Sequence, residues 1–552
     1  MRARTKIIML GIFVFGNVMI LACILQNLVF SSEPLMYQKC QMMKTFHQST
    51  GLKTYNLKVA ENDVIYRKLI VADDVIYRKL VSDEPPFHLM SFNSSTSAKK
   101  SGYVIISSNT YMTGDTLNIY VQTYDQLGSL NTFYGDFFRA RIFNNHLNAS
   151  VSGIVTDFKN GSYIISFPLL WPGAVVISVK LMHSGQAVAF IRQGRELYPH
   201  KISFKGIFQS NGKEEITDCH FNLSYYGPLC DLSNEKAGVT WFCEKPKSLQ
   251  CDNLKFFYSY NKINYKLSKE EENILDSKLF GEEITPLERS SITVQSKKDF
   301  KITASPCIPK PYMPQNITGF VLNNTWTSLQ CRAQNFATPQ MAAKCLRGKK
   351  VYFLGDSTTR QWWEYLISFI PSLKAFNFMG KQKNFEHLAT DITNNIYLRW
   401  TAHGAPFTST SKYPYTNLHP VSQEIDFLNG GKDYVVVIGL GAHFTAFPLQ
   451  IFIQRLLSIR SALERLIARN PDTVIILKNV NTRDINSFVM ANSDWLSFEF
   501  NRAINEVFQG MKVVLINAWD ITVAFDSFRI HPLPSVIKSE VDLFLSYVCP
   551  RQ

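Results

Sequence analysis

Val351-Tyr352-Phe353-Leu354-Gly355-Asp356-Ser357-Thr358-Thr359-Arg360 reads as an apolar strand that breaks at Gly355-Asp356-Ser357 into a helix over residues 360–369. A serine on a strand-to-helix turn presents its hydroxyl at the sheet edge and aims its own N–H at an incoming carbonyl oxygen, as acyl transfer requires. The fifth residue of the turn is Thr359 and not glycine, so this is not the G-x-S-x-G elbow of α/β-hydrolases. Another serine-hydrolase arrangement is implied, with its histidine near the chain end.

Outward from this turn, the last third of the chain alternates strands and helices. Strands are expected at 396–401, 434–438, 474–477 and 513–517, and helices at about 451–467, 495–508 and 537–547. Such alternation predicts a parallel sheet covered on both faces, with its ligand site beyond the carboxyl ends of the strands. Ser357, Gly404, His443 and His531 all fall just past such an end or in the loop that follows.

Upstream the rhythm differs. From residue 101 to about 206, short runs of β-formers at 103–106, 117–121, 163–167 and 175–179 are separated by Gly114-Asp115, Gly161 and Pro172-Gly173. This predicts an antiparallel β-sandwich of immunoglobulin-like type, which residues 207–310, irregular and cysteine-containing, complete. Before it, Asp63-Val64-Ile65-Tyr66-Arg67-Lys68-Leu69 recurs as Asp74-Val75-Ile76-Tyr77-Arg78-Lys79-Leu80, read as a local duplication in a tolerant stem or as a short paired helix or hairpin. The expected class is α+β multidomain: a cytoplasmic tip and signal-anchor helix (1–30), a stem (31–84), the sandwich with its extension (85–310) and a three-layer α/β/α domain (311–552). The change of rhythm predicts that residues from about 330 onward fold alone.

Arg2, Arg4 and Lys6 precede an apolar stretch from residue 7 to about 25, which is long enough to span a bilayer and, with basic residues staying cytoplasmic, places the rest in the lumen. A cleaved signal peptide, giving a secreted protein, is the competing reading. Sequons at Asn93, Asn148, Asn160, Asn222, Asn316 and Asn323 fit a secretory route. Outside the apolar stretch lie Cys40, Cys219, Cys230, Cys243, Cys251, Cys307, Cys331, Cys345 and Cys549, an odd set that leaves Cys40 for an intermolecular bridge. Cys219 to Cys251 as a zinc site competes with disulfides, but no C-x-x-C pair is present, so no metal site is expected. Cys549 reads as a buried thiol or as a clamp between the last helix and the Cys331/Cys345 region.

The formal charge of +14 suits acidic glycans or an anionic membrane surface, although the cations are scattered. No nucleic-acid motif is found, and nucleic acid is no partner in a lumen.

The strings VYFLGDSTTRQWW at residues 351–363, IGLGAHF at 438–444, AWDI at 518–521 and His531-Pro532 resemble the GDSL/SGNH superfamily, particularly its PC-esterase branch. With an anchored sandwich, the chain is similar to the neurexophilin and PC-esterase domain family from residue 85 onward. The resemblance implies an SGNH-like domain in a Golgi or other secretory protein, with relatives that add O-acetyl groups to glycans, including sialic acids, or remove them. It implies Ser357 as nucleophile and first oxyanion donor, Gly404 as second oxyanion donor and His531 as general base. The third block normally supplies an Asn to the oxyanion; here Gly439-Leu440-Gly441-Ala442-His443 has none, and His443 is the substitute, with a structural histidine as the alternative. Members usually place an Asp three residues before the histidine, where this chain has Phe528, so Asp526 or Asp520 is expected as third member, or a Ser-His dyad. Asp356 is expected to hold the turn through backbone hydrogen bonds.

The leading functional expectation is a glycan O-acyltransferase or esterase working through an acyl-enzyme. It needs no bound cofactor; acetyl-CoA or another acetyl donor is the co-substrate, and a glycan or glycoprotein is the acceptor. The alternative is a secreted or cell-surface binding protein whose sandwich engages a protein partner and whose esterase-like domain is inactive. A general lipid or protein hydrolase is poorly supported, because no lid or apolar substrate helix is evident.

Overall fold

The computed structural model describes residues 64–85, 91–106, 110–198, 201–221, 227–261, 267–288, 291–302, 304–376, 386–483 and 489–550. The expected membrane segment, Cys40 and Asn222 lie outside these residues. Among the described residues no helix is long and apolar enough to cross a membrane.

The strand Lys350–Gly355 is the centre of a seven-stranded sheet ordered Lys374–Phe376, His387–Asp391, Ile396–Ala402, Lys350–Gly355, Tyr434–Gly439, Val474–Lys478 and Val514–Ile516. From Ile396–Ala402 to Val514–Ile516 the pairing is parallel. The two strands at the other edge are antiparallel, which corrects the expectation of a wholly parallel sheet. Runs such as Val435-Val436-Val437-Ile438 are apolar at every position because both faces are covered. Val351, Phe353, Val435, Val437 and Ile476 join one core with helices Ser357–Phe369 and Pro534–Val548. Leu354, Val436, Ile438, Ile475 and Leu477 join the opposite core with helices Leu449–Arg469 and Asp494–Phe508.

Ahead of this layer, two sheets share a third core. One runs Thr285–Pro286, Gly102–Ile105, Thr116–Gln122, Ser162–Pro168, Ile154–Asp157; the other is built around Phe137–Asn144 and Gly173–His183. Leu117, Ile119, Val121 and Ile165 of the first face Ala140, Ile142, Val151 and Val179 of the second. The hairpin of Gly319–Leu322 and Thr325–Ser328, which the sequence reading placed with the C-terminal part, adds to the second sheet beside Ala149–Ser152.

The segment after residue 201 does not simply complete the sandwich. Ile202–Ser210, Lys213–His220, Leu229–Asp231, Phe242–Glu244 and Leu254–Asn261 form a separate sheet, whose last strand pairs with Tyr413–Pro414 of the C-terminal part. Disulfides Cys219–Cys243 and Cys230–Cys251 fasten it, which rules out the zinc alternative for these cysteines. Cys307–Cys331 and Cys345–Cys549 complete the pairing of the described cysteines, and the second ties the end of the last helix to the helix Pro339–Leu346, the clamp reading of Cys549.

The helix Val64–Val81 holds the second copy of the duplicated heptapeptide and the first copy from Val64 onward. Eleven residues make close to three α-helical turns, so equivalent positions recur on nearly the same face. Its second copy is packed: Leu80 is buried with the helix layer and Lys79 pairs with Glu506, while Asp73, just ahead of the copy, accepts from Gln450 and Gln454. A tolerant spacer would need none of these contacts.

Candidate active site

Gly355 ends its strand at φ +154°, and a Cβ there would stand 1.9 Å from the Gly439 carbonyl oxygen of the neighbouring strand. Only glycine fits. Asp356 then caps the helix Ser357–Phe369: its Oδ1 accepts from Thr358 N at 2.9 Å and Thr358 Oγ1 at 2.7 Å, and its Oδ2 accepts from Ala442 N at 3.0 Å. One buried carboxylate thus joins the Ser357 turn to the 440–443 loop. Burial alone would raise its pKa, but the His443 ring, the Thr358 donors, His403 and Lys478 hold it below the usual carboxylate range.

Ser357 is the first residue of that helix and is half-buried, with its Oγ 2.7 Å from His531 Nε2. The two residues are 174 apart in sequence. His531 is exposed, on the loop between helices Ala518–Ala524 and Pro534–Val548. Asn481 Nδ2 donates to Ile530 O at 3.0 Å, and Gln361 Nε2 donates to Pro532 O at 3.4 Å, so the loop is held on both sides of the imidazole.

The carboxylates expected behind His531 are engaged elsewhere. Asp526 takes Lys180 Nζ at 2.9 Å and Arg141 Nη2 at 2.9 Å, both from the sandwich. Burial would raise the Asp526 carboxyl, but Lys180, Arg141 and Arg139 hold it low. Asp520 accepts from Ser152 Oγ and from Thr318 N and Oγ1 at 2.5 and 2.7 Å. Both expectations for a third member are therefore corrected: each aspartate lies in an interface that its sequence distance from His531 does not reveal.

Asp520 carries a pH signature of its own. Burial pushes its pKa from 3.8 to about 6 despite the Ser152 and Thr318 donors. A carboxyl raised in the folded state contributes most below its unfolded pKa and loses that contribution as pH rises through 6. Asp520→Asn, which keeps the shape, should therefore gain stability relative to wild type between pH 5 and pH 8, by at most ~2 kcal/mol. Thermal melts of both proteins at the two pH values check this, and an unchanged gap would contradict it.

His403 and His443 form a pair that the sequence did not reveal. His403, fully buried, has Nδ1 2.7 Å from its neighbour's carbonyl, Gly404 O, and Nε2 2.9 Å from His443 Nδ1. A carbonyl only accepts, so His403 Nδ1 carries hydrogen. Burial holds His403 down to about 3 and His443 to about 4, so both are neutral near pH 7. His403 Nε2 must then accept from His443 Nδ1–H, leaving His443 Nε2 as an acceptor. In this tautomer its outer nitrogen has no proton to give an oxyanion, which fits the structural alternative for His443.

Gly404 lies in a tight spot, where a Cβ would meet Pro420 N and Cα at 3.1 and 3.2 Å. Packing alone explains glycine here. Arg455, fully buried on the helix Leu449–Arg469, holds the next residue through Nη2–H to Ala405 O at 2.7 Å.

A family model described as the C-terminal domain of NXPE family member 4-like proteins matches residues 326–549, and a neurexophilin model matches residues 79–273. The chain belongs to the NXPE family. The first match contains the Ser357 turn, the His403–His443 pair and His531, and the second contains Arg139, Arg141 and Lys180. In this NXPE chain the contacts of Asp526 therefore join the two matched regions. Among the described residues no group of His, Cys, Asp and Glu is arranged to hold a metal ion. The described sequon residues Asn93, Asn148, Asn160, Asn316 and Asn323 are all exposed.

Proposed function

We propose that this NXPE chain is a glycan O-acyltransferase or esterase of the secretory pathway, acting on O-acetyl groups, with sialic acids among the acceptors. The observation that carries the reading is the 2.7 Å contact between Ser357 Oγ and His531 Nε2 at the end of a sheet strand. Ser357 Oγ attacks the acyl carbonyl as His531 Nε2 takes its proton, and the Ser357 N–H faces the developing oxyanion. The donor's leaving group departs with that proton, leaving an acyl-serine ester. A sugar hydroxyl or water then gives its proton to His531 while its oxygen takes the acyl group, and as the acyl–Oγ bond breaks His531 returns that proton to Ser357 Oγ. With neither Asp526 nor Asp520 at the imidazole, the chemistry runs without support from either carboxylate, which otherwise fixes the tautomer and stabilises imidazolium. Acetyl-CoA or another acetyl donor serves as co-substrate. A single membrane segment cannot carry acetyl-CoA across a bilayer, so a transferase depends on a separate transporter or another lumenal donor.

The surrounding assignments belong to the same proposal. The N-terminal segment anchors a type II protein in the Golgi membrane, or is cleaved to give a secreted one. The exposed sequons carry glycans. The sandwich is immunoglobulin-like and offers a surface to a cell-surface protein.

A second reading, a binding protein with an inactive esterase-like domain, is favoured by the engagement of Asp526 and Asp520 elsewhere and by the acceptor state of His443. The two separate on one measurement. The purified lumenal part is incubated with labelled acetyl donor and sialylated or neutral glycans, and with acetylated glycans, beside a Ser357→Ala control. Label gained or lost by the glycan with wild type only is the expected result; no turnover on any glycan would leave the binding reading.

A further inference from the structure

The sandwich strands Phe137–Asn144 and Gly173–His183 pair with Arg139 directly opposite Lys180. Arg141 lies two residues along from Arg139, on the same face. Like charges opposite each other in a sheet repel, and three cations on one face have to be met by something. What meets them is the segment that leads into His531. Asp526 takes Lys180 and Arg141, each at 2.9 Å. Ser527 O accepts from Arg139 Nη2 at 2.8 Å. The Phe528 ring lies 4.2 Å from the Arg139 guanidinium carbon and 4.6 Å from Lys180 Nζ. Three consecutive residues, met in three different ways, fix the course of one loop.

The backbone agrees. Asp526 has φ +53°, a left-handed conformation that a non-glycine residue adopts at a cost, here at the end of the helix Ala518–Ala524. The same guanidinium reaches the other side of the site. Arg139 Nη1 pairs with Asp494 Oδ2 at 3.2 Å, and Asp494 Oδ1 accepts from Arg483 N at 2.6 Å. Arg483 Nη2 donates to Ala442 O at 3.1 Å, and Ala442 N donates to the Asp356 carboxylate that caps the Ser357 helix.

We infer that the sandwich is part of the active site: Arg139, Arg141 and Lys180 are positioning residues that hold the His531 loop in register with Ser357. The inference rests on the Ser357–His531 reading above. Arg141 and Lys180 are partly exposed, with side chains 20% and 18% accessible, so both can be changed without emptying a core. Arg139, at 3%, is left intact in the test.

Full-length wild type, Arg141→Gln/Lys180→Met and Lys180→Arg are compared in two measurements. The first is amide hydrogen exchange; the second is labelling of Ser357 by a fluorophosphonate, whose covalent capture needs an activated serine. In the double variant, amides of residues 525–531 should exchange faster while those of the central strands stay unchanged. The maximal labelling rate should fall roughly 10²-fold, the order that about 1 Å of misplacement costs, with the half-saturating probe concentration unchanged. Lys180→Arg, which keeps the cation, should keep most of the wild-type rate. Unchanged exchange at 525–531, or faster exchange with undiminished labelling, overturns the inference. A wild type that takes no label at all, while a control serine hydrolase does, overturns the Ser357–His531 reading and the inference with it.

Discussion

Ser357→Ala and His531→Ala should each lower glycan acyl transfer or ester cleavage by roughly 10³-fold or more, and the double variant should be hardly worse than either. The non-additivity follows from the geometry. With Ser357 Oγ 2.7 Å from His531 Nε2, the hydroxyl is a nucleophile only while the imidazole can take its proton. Removing either partner removes the same step. Neither change should unfold the protein, because His531 is exposed and Ser357 only half-buried at the start of a helix whose cap, Asp356, is untouched. Initial rates with acetyl donor and glycan, beside melting curves, check both halves of the expectation. Losses that multiply in the double variant would mean that the two residues act separately. Asp526→Asn should behave differently from a third catalytic member. Its carboxylate binds Lys180 and Arg141, so its loss should loosen the 525–531 loop rather than alter a proton held at His531.

Legibility in the sequence followed the range of the interaction. Val351 to Ser357 was readable because strand, turn and helix are local, and Gly355, Asp356 and Ser357 each have a local reason to stand there. His531 was readable only through resemblance, since nothing near it marks a base. Asp526 is not legible as an interface residue because proximity in sequence to His531 suggests proximity at the imidazole, whereas its partners lie 346 and 385 residues away. One signal was present: Arg139 and Arg141 alternate with Phe138, Ala140 and Ile142, so one strand face is apolar and the other cationic. A partly buried cationic face calls for an acidic partner. The His403–His443 pair left no such trace. Its tautomers are set by the Gly404 carbonyl and by burial, and neither follows from residue type. Periodicity also could not say which sheet a strand joins. The strands of residues 202–261 have ordinary β composition, but their edge partner, Tyr413–Pro414, comes from the far side of the Ser357 turn.

That last pairing decides what a truncated protein should do. The change of rhythm predicts that residues 330–552 fold alone, but the packing gives the opposite expectation: the fragment should aggregate or unfold without a cooperative transition. The core on the Val351 and Phe353 face of the seven-stranded sheet also contains Phe204, Phe208, Trp241 and Phe257, all buried and all upstream of the cut. Phe204 and Phe221 contact the Phe447 ring at 5.9 and 6.0 Å, and Ser458 Oγ of the helix Leu449–Arg469 donates to Lys236 O at 3.0 Å. Each large side chain taken from that core removes about 2–3 kcal/mol of burial, so losing four approaches the whole margin of a typical domain. The cut also frees the edge at Tyr413–Pro414, strips Cys331 of Cys307, and leaves Asp526 facing no cation from the sandwich. An unpaired edge beside exposed apolar surface is a route to aggregation. Co-expression of residues 85–329 should rescue solubility by restoring these contacts together. A monomeric fragment with a sharp thermal transition and an intact Cys345–Cys549 bridge would show that the α/β layer carries a sufficient core of its own, with the upstream aromatics only resting on it.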